Sequence, residues 1–442
     1  MIEYRNLKIA ILGAGSVGAQ VASLLLEHGE ELANRVGAGL EVVGIAVRDL
    51  DAPRTAEIPR ELLATDARSL ILGADIVIEV MGGIEPAREY LELALTSGAD
   101  VITANKALLA THGPELFAIA EQVGAQLYYE AAVGGAIPII RPLRDSLAGD
   151  RVHRILGIVN GTTNYILDRM DRDGDTLEQA LAAATELGYA EADPTADIDG
   201  FDAAQKAAIL ASLAFHTTVA VDGVHREGIR TVTRDQVVAA QRSGFVVKLL
   251  AVCERLVDPE TGRDGVSARV HPALIPAGHP LAAVHGANNA VFVEAEAAGS
   301  LMFYGAGAGG RQTASAVLGD LVSAARRHVV GGPGVAESTH ADLPILPISS
   351  VSTRYQITLS VLDRPGVLAQ IATLFSEHGV SVEAVQQSVV TVGGGEDEES
   401  AGATLVIGTH RATEKALAAT VADLAGSPVV ARVESVLRVE GL

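Results

Sequence analysis

Apolar and polar positions follow a regular order over residues 1–140. Short apolar runs alternate there with stretches of helical periodicity, and these runs are LKIAIL, EVVGIAV, ADIVIEV, ADVITA and AQLYYEA. Near-continuous apolar strands separated by helices are typical of a doubly wound, mostly parallel sheet. We therefore predict an α/β domain over residues 1–140, which binds its ligands at the carboxyl ends of the strands.

Further units follow this domain. Residues 141–309 mix helical patterns such as DAAQKAAILASLAF with strand-like runs such as AVFVEAEA, which predicts an α+β domain. Residues 328–352 concentrate Gly, Pro, Ser and His without periodicity, and we predict a linker there. Residues 353–442 show the order strand, helix, strand, strand, helix, strand, with the acidic loop GGGEDEES between the middle strands. This βαββαβ order predicts a ferredoxin-like fold.

The first apolar run leads directly into a glycine-rich turn that opens a helical pattern. In this context a GxGxxG motif is typical of dinucleotide binding. The first glycine permits a tight turn, the second lets the backbone approach a pyrophosphate, and the third lets the helix pack on the strand. The motif predicts a Rossmann-type nucleotide domain whose cofactor contacts lie at Gly13, Ala14, Gly15, Ser16, Val17 and Gly18.

The end of the second apolar run bears on the choice of cofactor. It is followed by Arg48-Asp49-Leu50-Asp51. At this place an acid usually binds the ribose 2′-hydroxyl of NAD, whereas an arginine binds the 2′-phosphate of NADP. Arg48 comes first, so we favour NADP while allowing NAD; the alternative is that Arg48 is an ordinary exposed cation.

Composition narrows the possible partners. The 442 residues carry a formal net charge of -22, so a nucleic-acid backbone would be repelled and we expect no such partner. The single cysteine, Cys253, sits in an apolar run and is expected to be buried and inert in a reduced compartment. No apolar run is long enough to span a membrane, and the N-terminus does not match a secretory signal. We expect a soluble, cytoplasmic protein without a membrane partner.

Two of the few lysines lie in segments where chemistry is expected. Lys106 directly follows the strand ADVITA, at the sheet edge where a nicotinamide would arrive, although a solvated loop lysine is an alternative. Lys206 lies on a largely apolar helix, either extending outward or held in a pocket for proton transfer. Asp202 is its neighbour one turn away, and a purely local alternative makes Asp199 the N-cap and Asp202 a capping-box residue. Glu191 could by itself be a surface acid.

Several motifs, in one order along nearly the whole chain, together resemble homoserine dehydrogenases: GAGSVG, TANKA, YEAAVGGAIPII, GIVNGTTNYIL, GYAEADPTADIDGFDAAQKAAIL and FYGAGAGGRQTASAV. The resemblance implies reversible NAD(P)-dependent interconversion of L-homoserine and L-aspartate 4-semialdehyde, on the route to threonine, methionine and isoleucine. It also implies that a helix near residues 310–327 completes the nucleotide domain, and that the middle domain binds substrate and dimerises. One departure is Gln312, where the family commonly has proline, so the loop is less constrained locally.

The resemblance also assigns roles to residues at matching positions. Lys206 would be the acid/base residue and Lys106 would sit beside the reacting carbon and the nicotinamide, while Glu191 and Asp202 would hold the substrate ammonium. Further residues would line the substrate and the cofactor. These are Gly161 and Thr162 for the substrate, and Thr103, Lys106, Asn160 and Gly305 for the cofactor.

The segment from residue 130 to 137 resembles the family's monovalent-cation loop. The resemblance implies that backbone carbonyls of Glu130, Val133, Gly135 and Ile137 bind sodium or a similar ion, and carbonyl oxygens suit such a hard cation. A glycine turn that simply closes a strand is the alternative.

The sequence LDRPGVL, followed by FSEHGVSVEAVQQ, resembles an ACT domain over residues 353–442. Such modules pair across chains and bind small amino acids, which implies threonine as a feedback inhibitor and a homodimer or homotetramer. A purely structural role in dimerisation remains an alternative.

Two other function classes stay open. One is a different amino-acid dehydrogenase on the same scaffold, and the other is a dinucleotide or amino-acid sensor without turnover. An acyl-enzyme aldehyde dehydrogenase is disfavoured because it needs a nucleophilic cysteine, and Cys253 lies far from the glycine turn.

Overall fold

A computed structural model describes residues 5–332, 337–390 and 402–441. The predicted acidic loop GGGEDEES lies outside the described residues. Within these ranges, no helix is both long and apolar enough to cross a membrane.

The first domain is built on six parallel strands in the order β3-β2-β1-β4-β5-β6, which is the order of a doubly wound dinucleotide-binding sheet. The predicted parallel sheet is confirmed. Its strands are β1 (Leu7–Leu12), β2 (Leu40–Ala46), β3 (Leu63–Ala64), β4 (Ile76–Glu79), β5 (Asp100–Thr103) and β6 (Leu127–Tyr128). Its helices are α1 (Ser16–Glu27), α2 (Gly29–Val36), α3 (Ala67–Leu72), α4 (Ala87–Thr96) and α5 (Lys106–Val123).

The second domain places its helices on one face of a mixed sheet. Its strands are β7 (Val152–Ile158), β8 (His225–Arg226), β9 (Phe245–Val257), β10 (Asp264–Pro276), β11 (Asn288–Ala295) and β12 (Gly299–Ala306). Its helices are α6 (Gly161–Arg172), α7 (Leu177–Glu186), α8 (Thr195–Ile198), α9 (Phe201–Phe215) and α10 (Arg234–Arg242). Cys253 lies on β9, fully buried, and burial raises the pKa of its thiol to about 12.

Helix α11 (Gly310–Val330) returns from the second domain to the first and packs against α1. Its buried face joins the same apolar cluster as β1 and α1. The two helices approach each other closely at Gly310, where an added Cβ would lie 2.5 Å from the Ser16 carbonyl oxygen. The helix therefore fixes the start of α1, where the glycine turn lies.

The third unit has the predicted βαββαβ order. It comprises β13 (Ser352–Leu362), α12 (Val367–Glu377), β14 (Val382–Val390), β15 (Gly402–Thr409), the short β16 (Ala412–Thr413), α13 (Glu414–Gly426) and β17 (Val430–Val439). Its antiparallel strands have the order β17-β13-β15-β14. In addition, β17 pairs in parallel with β10, so this sheet continues into that of the second domain.

Candidate functional site

The glycine turn between β1 and α1 leaves an open recess. Gly13 has a φ of +104°, and a Cβ added at Gly18 would lie 2.0 Å from the Gly13 carbonyl oxygen, so both positions require glycine. Gly15 is different, because no atom of the described residues lies within 4 Å of its added Cβ. Gly15 is also the N-cap of α1 and supplies no side-chain acceptor. The first amides of α1 therefore remain available for an anion at this recess.

Arg48 lies just beyond β2 and is exposed. Its guanidinium makes no hydrogen bond or ion pair within the described ranges. Asp49, in contrast, uses one carboxylate oxygen to accept the amide of Asp51 at 2.8 Å. Of these two neighbours, Arg48 is therefore the more available to an added phosphate.

The two lysines meet at one carboxylate. Lys106 begins α5 and places its amino nitrogen 3.0 Å from Asp202 Oδ1, while Lys206 donates to Asp202 Oδ2 at 2.7 Å. Lys206 also donates to the Val159 carbonyl at 2.6 Å. Its side chain is only 11% exposed, against 40% for Lys106. Lys206 is therefore largely buried at this carboxylate, and Lys106 lies on its more exposed side.

The charges at this centre support one another. Attraction to Asp202 raises the pKa of Lys106, although burial opposes this. Burial would raise the pKa of Asp202, but Lys206 and Lys106 outweigh it and hold that pKa well below its usual range. Asp202 therefore stays ionised, and Lys106 stays charged, throughout the neutral and mildly alkaline range.

Asn160 forms hydrogen bonds with two acids of this site. Its side-chain oxygen caps α6 by accepting the Thr163 amide at 2.8 Å. Its NH₂ group donates to Asp202 Oδ2 at 2.9 Å and to Asp197 Oδ1 at 2.7 Å. The side chain of Asn160 is thus fully used in holding the site together.

Asp197 is a site residue that the sequence analysis did not single out. It lies on α8, and burial raises the pKa of its carboxyl group, although Asn160 opposes this. The only signal was its place in the segment DPTADIDG, where three acids follow one another closely and nothing ranks them.

The local alternative for the start of α9 is wrong. Gly200, with a φ of +79°, occupies the N-cap, and no side chain caps the helix. Asp199 instead pairs with Arg230, and Asp202 reaches the two lysines. The glycine terminates α8 and turns the chain so that Asp202 points into the site.

Other predicted residues surround this centre. Thr162 donates its hydroxyl to the Tyr189 carbonyl at 2.6 Å and so fixes the segment that leads to Glu191. Glu191 is exposed but close enough to contribute to the raised pKa of Lys106. Gly161 must be small, because an added Cβ would lie 2.5 Å from the Ala287 carbonyl oxygen.

Thr103 and Gly305 lie at the edges of the two sheets. The Thr103 hydroxyl is buried and donates to Glu79 Oε2 at 2.6 Å, so only its backbone is free to meet a ligand. Glu79 is a second residue that the sequence analysis missed, and its other oxygen accepts the amides of Met81 and Gly82. Gly305 lies on β12, opposite Asn289, and an added Cβ would lie 3.5 Å from Ile137.

The segment from Glu130 to Ile137 forms a buried, glycine-containing loop. The Glu130 carboxylate accepts the amides of Ile139, Ile140 and Arg141 and the Arg141 guanidinium, so it is fully engaged. Gly135 has a φ of +59°, and its added Cβ would lie 2.4 Å from the Gly307 carbonyl oxygen. Any cation bound here would therefore depend on backbone carbonyls, which agrees with the carbonyl set Glu130, Val133, Gly135 and Ile137. That set remains a prediction.

Comparison with known proteins gives consistent matches along the chain. A family profile described as homoserine dehydrogenase matches residues 138–322, its NAD binding domain matches residues 13–130, and an ACT domain matches residues 355–425. The homoserine dehydrogenase of Corynebacterium glutamicum is 53% identical over 434 residues, which cover 98% of this chain and 95% of that protein.

Solved structures give the same result. The homoserine dehydrogenase of Thiobacillus denitrificans superposes with a TM-score of 0.89 at 37% identity, covering 99% of both chains. A hyperthermophilic archaeal homoserine dehydrogenase in complex with NADPH gives a TM-score of 0.60 at 28% identity, covering 74% of this chain and 99% of that one. The predicted fold class is thereby confirmed: a Rossmann-type parallel sheet, an α+β second domain and a C-terminal ferredoxin-like ACT domain.

Proposed function

Because this chain belongs to the homoserine dehydrogenase family, we propose that it catalyses the reversible NADP-dependent interconversion of L-homoserine and L-aspartate 4-semialdehyde, in the biosynthesis of threonine, methionine and isoleucine. The observation that carries the proposal is the buried carboxylate of Asp202 between the amino groups of Lys106 and Lys206. A zwitterionic amino acid needs an anion for its ammonium group, and its alcohol needs a proton acceptor nearby.

Asp202 and Glu191 hold the substrate ammonium in this proposal, beside Gly161 and Thr162. Asp202 is kept ionised by the two lysines, so it presents a full negative charge in a largely buried place. A hydrogen bond to a charged group contributes about 1.5–3 kcal/mol. The ammonium then lies at the same carboxylate as the Lys206 amino group.

Lys206 moves the proton. It donates a proton to the aldehyde oxygen in the reducing direction and takes the hydroxyl proton in the oxidising direction. Lys106 remains charged, because Asp202 raises its pKa, and it stabilises negative charge on the reacting oxygen. A bound nicotinamide dinucleotide supplies or accepts the hydride.

Support for NADP comes from two places. The open recess at Gly15, with the uncapped start of α1, fits a pyrophosphate, and the exposed Arg48 fits a 2′-phosphate. The archaeal relative is a complex with NADPH, which agrees with this preference. Support for a sodium ion is the buried loop from Glu130 to Ile137, whose carboxylate is already engaged and whose backbone carbonyls suit a hard cation.

The C-terminal domain binds threonine as a feedback inhibitor, and the enzyme works as a homodimer or homotetramer. The support is the ACT profile over residues 355–425 and the βαββαβ fold there. The glycine-containing turn at Gly366, between β13 and α12, is the place where such modules bind small amino acids.

The test measures initial rates in both directions. We expect reduction of NADP with L-homoserine at alkaline pH, oxidation of NADPH with L-aspartate 4-semialdehyde, a higher kcat/KM for NADP than for NAD, and inhibition by L-threonine but not by D-threonine. Folded protein that binds NADP but turns over neither substrate would contradict the enzyme and favour a sensor.

A further inference from the structure

The turn between α8 and α9 rests on a short segment of the second domain, residues 225–230. An added Cβ at Gly228 would lie 2.3 Å from the Ile198 carbonyl oxygen, so the two backbones touch. The Ile229 amide donates to that same oxygen at 2.8 Å. Because the turn carries Asp197 on one side and Asp202 on the other, a displacement of this segment displaces both acids.

The side chain of Arg226 contacts this turn. Its guanidinium donates to the Asp199 carbonyl, and its Cζ lies 3.5 Å from the centre of the Phe201 ring. Phe201 is the first residue of α9 and directly precedes Asp202. Arg226 therefore contacts both Asp199, the C-cap of α8, and the first residue of α9.

The same segment is joined to the C-terminal domain. Glu227 follows Arg226 and forms an ion pair with Arg438 of β17, with Nη1 2.9 Å from Oε2. Arg438 is held in turn by Glu414 at the start of α13, at 2.8 and 3.0 Å. The Tyr355 hydroxyl of β13 donates to the same Glu414 carboxylate at 2.7 Å. Arg438 thus bridges an acid of its own domain and an acid of the catalytic domain.

We propose that Arg226 is a positioning residue for Asp202, and that Arg438 of the C-terminal domain fixes the position of Arg226 through Glu227. The proposal rests on the proposed function and adds the route by which the C-terminal domain reaches the substrate site. The route runs through the contacts of Arg438 with Glu227, of Arg226 with the Asp199 carbonyl and the Phe201 ring, and of Asp202 with the lysines. None of Arg226, Glu227 and Arg438 touches the lysines, so their effect is on substrate binding geometry.

The first test replaces Arg226. We expect Arg226→Gln to raise the KM for L-homoserine about 5- to 20-fold, with the KM for NADP unchanged within about twofold, since only the α9 side of the site loses its support. Arg226→Lys keeps a cationic donor for the Asp199 carbonyl and should recover part of the loss. Unchanged KM values, or equal changes for both substrates, would overturn the positioning role.

The second test asks whether the C-terminal domain acts through Arg226. Glu227→Gln removes the charge that meets Arg438 while leaving Glu414 paired, and Arg438→Lys is a second variant that shortens the bridge. Both should raise the KM for L-homoserine selectively, and the effect of Glu227→Gln should disappear in the Arg226→Gln background. The control is Arg432→Gln on β17, whose partner is Glu434 of the same strand.

The outcomes separate the two claims. A wild-type protein that does not oxidise L-homoserine contradicts the proposed function. Two results in an active wild-type enzyme would contradict only the route described here. One is that the effects of Glu227→Gln and Arg226→Gln on the KM for L-homoserine add in the double variant. The other is that Arg432→Gln raises this KM as much as Glu227→Gln does.

Discussion

At the scale of single residues, the site depends on one acid that serves several groups. Asp202 contacts Lys106, Lys206 and Asn160, which come from three different segments of the chain. Position along the chain left open whether the two lysines were ordinary surface residues, and only the resemblance of the whole set of motifs implied that both take part in the chemistry. The sequence could not indicate that a single carboxylate lies between them, since that depends on how the two domains pack.

We expect Asp202→Asn to raise the KM for L-homoserine about 10- to 100-fold, because an amide cannot neutralise the substrate ammonium and a charged hydrogen bond contributes about 1.5–3 kcal/mol. Steady-state kinetics and an NADP titration measure the two binding steps separately, and NADP binding should change little. Asp193→Asn, an exposed acid of the segment that precedes α8, is the matched control. Equal KM values in the two variants would show that Asp202 does not bind the substrate.

At the scale of elements, the sequence predicted the strands, the helices and the glycine turn well, because periodicity and glycine spacing are local properties. It gave no signal for the pairing of β10 with β17, which joins strands far apart in the chain. Nor did it show that two parts of the predicted linker, residues 328–352, belong to regular structure. Residues 328–330 complete α11, and residues 344–346 pair with Val266. Tertiary contacts determine the structure of such segments.

Two glycines of the turn should respond differently to the same change. Gly18→Ala should lower the melting temperature, because its Cβ would lie 2.0 Å from the Gly13 carbonyl oxygen. Gly15→Ala should leave the melting temperature unchanged but weaken NADP binding at least tenfold, because its Cβ enters the open recess where a pyrophosphate would lie. Calorimetry and fluorescence titration measure the two effects. Unchanged NADP affinity in Gly15→Ala would contradict the assignment of the recess.

Lys248, on β9, makes the free energy of unfolding depend on pH. It donates to Asn164 Oδ1 of α6 at 3.0 Å and to the Val284 carbonyl at 2.6 Å, and burial lowers its pKa to about 8. An unfolded lysine titrates near 10.4, so between these values the unfolded chain binds more protons and the free energy of unfolding rises with pH.

From pH 8 to pH 9.5 we therefore expect the wild type to gain about 1–2 kcal/mol in free energy of unfolding relative to Lys248→Met. Urea unfolding at both pH values measures the difference. Lys415→Met, which removes a side chain that is 74% exposed, is the control and should show no such change. A difference that stays constant or shrinks with pH would be contrary to a lowered pKa.

At the scale of the whole molecule, the C-terminal domain has an apolar core of its own and is also joined to the second domain by strand pairing and buried ion pairs. The last described residues carry Glu440, whose carboxylate is 3.1 Å from Arg269 and 3.6 Å from Arg154. All three side chains are buried, and Arg269 and Arg154 belong to the second domain. This joint lies where the sequence shows only an ordinary strand end.

Glu440→Gln should lower the free energy of unfolding by about 1.5–3 kcal/mol, because it removes a charged hydrogen bond from the buried guanidinium of Arg269, whose remaining carboxylate partner is Glu254. Glu434→Gln, whose partner Arg432 is largely exposed, should cost less than about 1 kcal/mol. Urea denaturation of both variants gives the comparison. Equal stability of the two would mean that the C-terminal domain is held mainly by its other contacts.

The central claim is that a buried lysine, Lys206, transfers the proton, and that the binding of the dinucleotide does not depend on this lysine. The most direct measurement compares Lys206→Met, which keeps the volume of the side chain, with Lys415→Met in NADP titration and in turnover of L-homoserine. We predict that both variants bind NADP as the wild type does, and that kcat falls about 10²- to 10⁴-fold only in Lys206→Met. A Lys206→Met enzyme with wild-type kcat would contradict the account.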